Sequence, residues 1–229
     1  MENIFLSLRE AWRLIVSFDN EIYGIIALSL IVSVLSSALA GILGMPLGIL
    51  LGSRDFAGRR AIIRVVQTLM GLPPVVAGLM VYMLLSRKGP MGSLGLLFTP
   101  SAMIAAQVLI VLPVITGLTA AAVKLKSQSV LETCKGMGLG RLKTMLVLVH
   151  ECRYPVISAF MAGYGRAISE VGAVMLVGGN IQYETRVMTT AIVLETGKGN
   201  FERALALGVI LLLLSFSINW FMQRFQEDS

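Results

Sequence analysis

Charge is scarce in this chain: only 14% of its 229 residues are Asp, Glu, Lys or Arg, against 56% hydrophobic residues and a mean hydropathy of +0.82. A globular core of this length cannot bury so much apolar surface, so a soluble domain is excluded and a polytopic membrane protein is implied. The net charge of +6 would suggest nucleic acid in a soluble protein; in a membrane protein basic residues first report orientation, and no nucleic-acid partner is expected. Histidine is nearly missing. With His150 alone, neither a histidine metal cluster nor a serine–histidine relay can be assembled readily, and His150 reads as a boundary residue near the cytoplasmic surface. Cys134 and Cys152 are the only cysteines and flank one polar loop, so no disulfide framework is implied. The chain also lacks G-x-x-x-x-G-K-S/T: Gly197-Lys198 has neither the preceding glycine nor the hydroxyl residue, and the glycines of Gly136 to Gly140 follow no strand. No catalytic residue, metal site or cofactor is therefore expected in the chain itself. Residues 1–21 carry Glu2, Arg9, Glu10 and Arg13 and no uninterrupted apolar core, so a signal peptide is not expected either.

What is present is a series of apolar segments. Ile4, Phe5, Leu8, Trp12 and Ile15 share one helical face, which predicts an interfacial amphipathic helix over residues 1–21. A sixth span is the alternative there, made costly by three charges within five residues. The first span is expected from about Tyr23 to Leu51, with Gly41, Gly44, Pro46 and Gly48 allowing close approach of neighbouring helices. The second runs from about Ala61 to Leu85 and is broken at Gly71-Leu72-Pro73-Pro74. Two prolines remove amide donors, and the carbonyls they free need protein or water partners; Gly71, Pro73 and Pro74 read equally as a kink lining a pathway or as an ordinary helix break. Pro100 to Val123 is the third span, Tyr154 to Val177 the fourth and Ala204 to Phe221 the fifth, while residues 178–202 are too polar to cross but helical from Val187 to Leu194. Arg54, Arg59, Arg60, Lys124, Lys126, Lys135, Arg141, Lys143, Arg153 and Arg224 gather on one side, which the positive-inside rule makes the cytoplasm. The N-terminus is then expected outside and the C-terminus inside.

Between the third and fourth spans, residues 124–153 form a polar island. Ser129 and Glu132 have the spacing of a capping box, predicting that a short helix starts there. Gly136, Gly138 and Gly140 interrupt it, because glycine takes positive φ cheaply and lets a second helix begin at a new angle. Glu132, Thr133, Cys134 and Gly138 match the E-A-A-x-x-x-G signature, so the loop resembles the coupling loop of ATP-binding-cassette (ABC) importer permeases. The L-P pair that continues this pattern is replaced by His150 and Glu151, with Tyr154-Pro155 following.

Arg166 and Glu170 stand one helical turn apart in the fourth span, where charges must pair or face a wet interior. Their segment, GRAISEVGAV, is similar to the R-A-x-x-E-x-G stretch of molybdate, tungstate and sulfate permeases, and TRVMTTAI is closest to the tungstate branch. The resemblance runs from about Ile25 to Leu214. It implies an all-α permease of the type I ABC importer kind, residues 22–229 forming a transmembrane domain of about five helices in a bacterial or archaeal plasma membrane. It further implies a homodimer, two cytoplasmic ABC ATPase subunits that bind the ATP, and an extracytoplasmic oxyanion-binding protein. Ser129, Glu132, Thr133, Cys134 and Gly138 are expected to couple to the ATPase, and Arg166 with Glu170 to form an intramembrane pair or line the pathway. Tungstate is the expected cargo, with molybdate or sulfate as alternatives. An intramembrane enzyme or a channel is the reading from another class, but neither a nucleophile with its base nor a filter motif is evident.

Overall fold

The computed structural model describes residues 20–227, in which every regular element is helical. Helices α1 (Asn20–Ser53), α2 (Arg59–Met70), α3 (Pro74–Leu85), α4 (Pro100–Gly136), α5 (Arg141–Glu151), α6 (Arg153–Ile168), α7 (Gly172–Gly178), α8 (Met188–Gly197) and α9 (Phe201–Glu227) follow in order, with a 3-10 turn at Gly92–Leu94. Three of them, α1, α4 and α9, are long and apolar enough to cross a membrane; the bent pairs α2 with α3 and α5 with α6 bring the number to five if each pair is one span. The interfacial helix expected over residues 1–21 lies outside the described residues, except that its last two already belong to α1.

Two expected boundaries are corrected. No helix starts at Ser129, because α4 continues unbroken for 37 residues through Gly136. The Ser129 carbonyl accepts the Thr133 hydroxyl at 2.9 Å and the Glu132 carboxylate accepts the Gln128 amide at 3.2 Å, as mid-helix residues do. Once a helix exists, adding a residue is easier than nucleating a new one, and nothing between Val123 and Ser129 stops propagation. The fourth span is likewise not one helix from Tyr154 to Val177: α6 ends at Ile168, and α7 starts afresh at Gly172.

The chain divides into two compact units, residues 20–35, 73–107 and 167–227 forming one and residues 36–72 and 108–166 the other. In the second, α1 and α4 meet along small residues. A Cβ on Gly48 would lie 2.6 Å from the Thr119 Cβ, and one on Gly52 2.7 Å from the Ala120 carbonyl oxygen, so the two backbones approach as only glycine permits. On α6, Gly163 fits the Ile115 side chain in the same way, with 2.5 Å to a built Cβ. The glycine seam read from the sequence at Gly41, Gly44 and Gly48 is thus a packing face, and it extends to Gly52.

In the first unit, α3 rests on α7 at Gly78, where a Cβ would come within 2.6 Å of the Ala173 backbone. Ile22 and Ile25 of α1 form a core with Met188 and Ala191 of α8 and Ala206, Leu207 and Ile210 of α9. Ser29 locks this arrangement: its hydroxyl donates to the Ile25 carbonyl at 2.6 Å and accepts the Met188 amide at 2.8 Å, satisfying a helix N-terminus inside apolar surroundings.

Candidate functional site

The polar island folds into a helix, a tight reversal and a second helix. Gly138, two residues past the end of α4, stands at φ +67°, the left-handed conformation. Its amide donates to the Lys135 carbonyl at 3.0 Å and the Leu139 amide reaches back to the Cys134 carbonyl at 2.9 Å. This pair of bonds is the Schellman ending of a helix, in which a glycine past the last turn satisfies two orphan carbonyls. The next helix, α5, begins at Arg141, and Thr144 returns both its amide and its hydroxyl to the Gly140 carbonyl, at 3.0 and 3.1 Å.

The reversal is held from beneath and open on top. Val123, Leu148 and Cys152 are fully buried together, with Ile49, Val130, Met145 and Val156 around them. Lys126 donates from Nζ to the Glu151 carbonyl at 2.9 Å, latching the end of α5 to α4. Of the expected coupling residues, Cys134 points inward at 1% exposure, whereas Ser129, Glu132, Thr133 and Gly138 lie on the exposed side. Beside them Leu125, Met137, Leu142 and Leu146 are 86, 61, 78 and 64% exposed. Such apolar exposure, ringed by Lys124, Lys135, Arg141 and Lys143, is what a protein-docking surface presents. The loop from Ser53 to Asp55 shares a cavity of about 430 Å³ with Lys135, Leu139 and Arg141, placing the end of α1 beside the reversal. Arg59 caps that end, donating from Nε to the Leu51 carbonyl at 2.6 Å while Nη1 pairs with Asp55 at 3.0 Å.

At the second expected feature the chain does break. Gly71 ends α2 near φ −89°, Pro73 is extended at φ −60° and ψ 128°, and Pro74 opens α3 at its first position, where the missing amide costs nothing. Arg166 and Glu170 are not on one helix, since α6 ends between them. Glu170 is buried at 5% exposure and its Oε1 accepts the Ala173 amide at 3.1 Å, so the carboxylate serves the start of α7. The Glu170 carbonyl accepts the Thr189 hydroxyl at 2.9 Å, tying α8 to the same spot. The void there, lined by Ser29, Ser33, Gln107 and Glu170, measures about 10 Å³, enough for at most a water and too small for an oxyanion.

Two charged clusters were not singled out from sequence. Glu21, in the first turn of α1, takes Arg186 at 3.1 Å and Gln182 at 3.0 Å on one oxygen and Arg203 at 3.8 Å on the other. Nearby, the Glu195 carboxylate accepts Lys198 at 2.8 Å and Asn200 at 2.9 Å. The Lys198 hydrogen bond above all, with Asn200 and the charge of Arg203 adding to it, holds the Glu195 carboxyl below its usual range against the opposing effect of burial. Residues 161 or more apart meet at Glu21, so no local pattern could have revealed that cluster. Arg64 is the other omission: it lies in the expected second span, and its four-residue spacing from Arg60 was the available signal. Among the described residues no group of three or more His, Cys, Asp or Glu could hold a metal ion.

The profile of the family described as the binding-protein-dependent transport system inner membrane component matches residues 44–228, which take in the reversal, the break, Arg166 and Glu170. The chain belongs to this permease family. It is 42% identical to the tungstate uptake system permease protein TupB of Peptoclostridium acidaminophilum over 228 residues, all of both chains. A probable anion ABC transporter permease protein of Haloferax volcanii is 44% identical over 208 residues, 89% of this chain and 90% of that one. The tungstate uptake permease TupB of Campylobacter jejuni is 37% identical over 227 residues, 99% and 95% of the two chains. As a family member, the chain is a multi-pass inner-membrane component of a transport system, and the all-α type I permease fold read from its sequence is the fold of this family.

Proposed function

We propose that this chain is the membrane-spanning subunit of an ATP-driven importer that carries tungstate inward. The observation that carries the reading is the reversal after α4: a glycine-ended helix, fixed on a buried core and presenting Glu132, Thr133, Met137 and Leu142 outward, which is a surface built for a partner. The full-length similarity to tungstate uptake permeases supplies the cargo, and permeases of sulfate transport systems are more distant relatives. Two copies of the chain form the permeation unit, two ABC ATPase subunits dock on the reversals from the cytoplasm, and an oxyanion-loaded binding protein docks outside. ATP is bound and hydrolysed in the partner subunits. The N-terminus lies outside and the C-terminus in the cytoplasm, as the basic-residue asymmetry requires. Gly71, Pro73 and Pro74 bend the second span beside the pathway, where the carbonyls freed at the break find water.

Affinity purification of the chain from its native membrane, followed by reconstitution with its partner subunits in vesicles, tests this directly. A co-purifying ATPase and ATP-dependent uptake of tungstate in preference to molybdate and sulfate are the expected results. A chain that brings down no ATPase, or a complex that imports none of the three oxyanions, refutes the proposal.

A further inference from the structure

Arg59, Ile63, Val66 and Met70 of α2 recur at helical spacing and are half-buried. The approach of Met70 and Val66 to Gly117 shows that this face covers α4. Ile62, Val65 and Leu69, 45, 57 and 37% exposed, form a second, apolar stripe. Between these two faces, on the remaining third of the helix, stand Arg60, Arg64, Gln67 and Thr68, all exposed. No residue of α2 is fully buried. Arg59 is pinned to the Leu51 carbonyl and Asp55, yet the side chains of Arg60 and Arg64 have no ion pair or hydrogen bond among the described residues.

A stripe holding two unpaired guanidinium groups cannot face hydrocarbon; within a span it faces water or a polar interior. The neighbouring apolar stripe suits lipid or a second copy of the chain. The loop before the helix shares a cavity at Ser53 to Asp55 with Lys135 and Leu139 of the reversal, Asp55 pairs with Arg59 at the helix start at 3.0 Å, and the helix runs 12 residues, about 18 Å, to the break at Gly71.

We propose that Arg60, Arg64, Gln67 and Thr68 form a cationic ladder lining the cytoplasmic half of the permeation pathway, along which a tetrahedral oxyanion leaves the membrane. Guanidinium forks match two oxygens of such an ion, and the Gln67 amide offers a further donor near the break, while the Thr68 hydroxyl donates to the Arg64 carbonyl at 2.9 Å and marks the end of the stripe. Rungs one turn apart, about 6 Å along the axis, let the ion be shared between neighbours. Because the stripe is exposed, each contact stays weak enough to release its cargo. This inference rests on the oxyanion-permease reading above and assigns its exit path.

The test uses the complete complex in vesicles, with Cys134 and Cys152 replaced by serine in a background first shown to transport. Thr68→Cys is treated with an anionic and a cationic methanethiosulfonate of equal size, each rate normalised to a cysteine at exposed Leu142 on the coupling surface. An excess positive charge about 6 Å away gives the anionic reagent an advantage of about tenfold, which Arg64→Gln abolishes. Tungstate slows the anionic reaction, and Val65→Cys reacts with neither reagent. Charge-blind labelling at Thr68→Cys overturns the ladder. So does equal labelling at Val65→Cys, or wild-type tungstate uptake by a folded, ATPase-active Arg60→Gln/Arg64→Gln variant. Anion-favouring labelling in a complex that imports no oxyanion keeps the cationic stripe while removing the cargo assigned above, so the two failures are distinguishable.

Discussion

Gly138→Val is the perturbation that isolates the reversal proposed to couple the chain to its ATPase. A Cβ at this position would meet nothing within 4 Å, so no clash with a neighbour contributes and the whole cost is conformational. Holding a non-glycine residue at φ +67° costs about 1–2 kcal/mol, and a β-branched side chain adds to this. Against it stand the two hydrogen bonds of the helix ending, from the amides of Gly138 and Leu139, each with a net contribution of about 1 kcal/mol. The penalty therefore matches what holds the reversal in shape, while the core of Val123, Leu148 and Cys152 beneath is untouched. The variant should insert, assemble and melt within a few degrees of wild type, yet lose tungstate-stimulated ATP hydrolysis and uptake in reconstituted vesicles. Gly138→Asn, whose side chain tolerates the left-handed region, should keep most of both activities, and Gly138→Ala should fall between. Normal coupling by a stably assembled Gly138→Val complex would refute the role given to this turn.

Other perturbations act on different features. Gly52→Val places its first carbon 2.7 Å from the Ala120 carbonyl oxygen, so it should cost about 1–3 kcal/mol or more and appear as poor accumulation and a lowered melting temperature, whereas Gly136→Ala, in open space, should not. Glu170→Ala strands the buried Ala173 amide and should destabilise by about 1–3 kcal/mol, while Glu170→Gln keeps an acceptor and costs less; combining Glu170→Ala with Arg166→Ala reads their coupling, and strictly additive losses in melting temperature would exclude a direct pair. The lowered pKa of Glu195 contributes stability above the ordinary carboxylate range that is lost as pH falls through the folded value, so Glu195→Gln should melt lower than wild type at neutral pH, with the difference shrinking as acid protonates the wild-type carboxylate and the melting temperature of the variant depending less on pH. A cysteine at Lys88 should react with impermeant reagents from outside only, and labelling confined to the cytoplasmic side would reverse the assigned topology.

The features legible in the sequence are those whose cause is local. An apolar run long enough for a bilayer, a Gly-Leu-Pro-Pro that cannot continue a helix, and a glycine required at positive φ each act through their own backbone, so α1, the break after Met70 and the reversal at Gly138 stand where the residues predicted them. The glycines of α1 belong here too, because only close helix packing rewards several of them on one face. Ser129 and Glu132 show the limit of such reasoning. Their spacing is compatible with a helix start and equally with a helix interior, and the uninterrupted residues before them settled it in favour of α4. Tertiary structure alone decided the fate of Glu170. Its carboxylate serves Ala173 and its carbonyl receives Thr189, 19 residues away, so α6 gives up its last turn for partners that a periodic pattern cannot display. Glu21 with Arg186, 165 residues apart, and the three faces of α2 were decided likewise, because a charge is assigned to lipid, protein or water only by what packs around it.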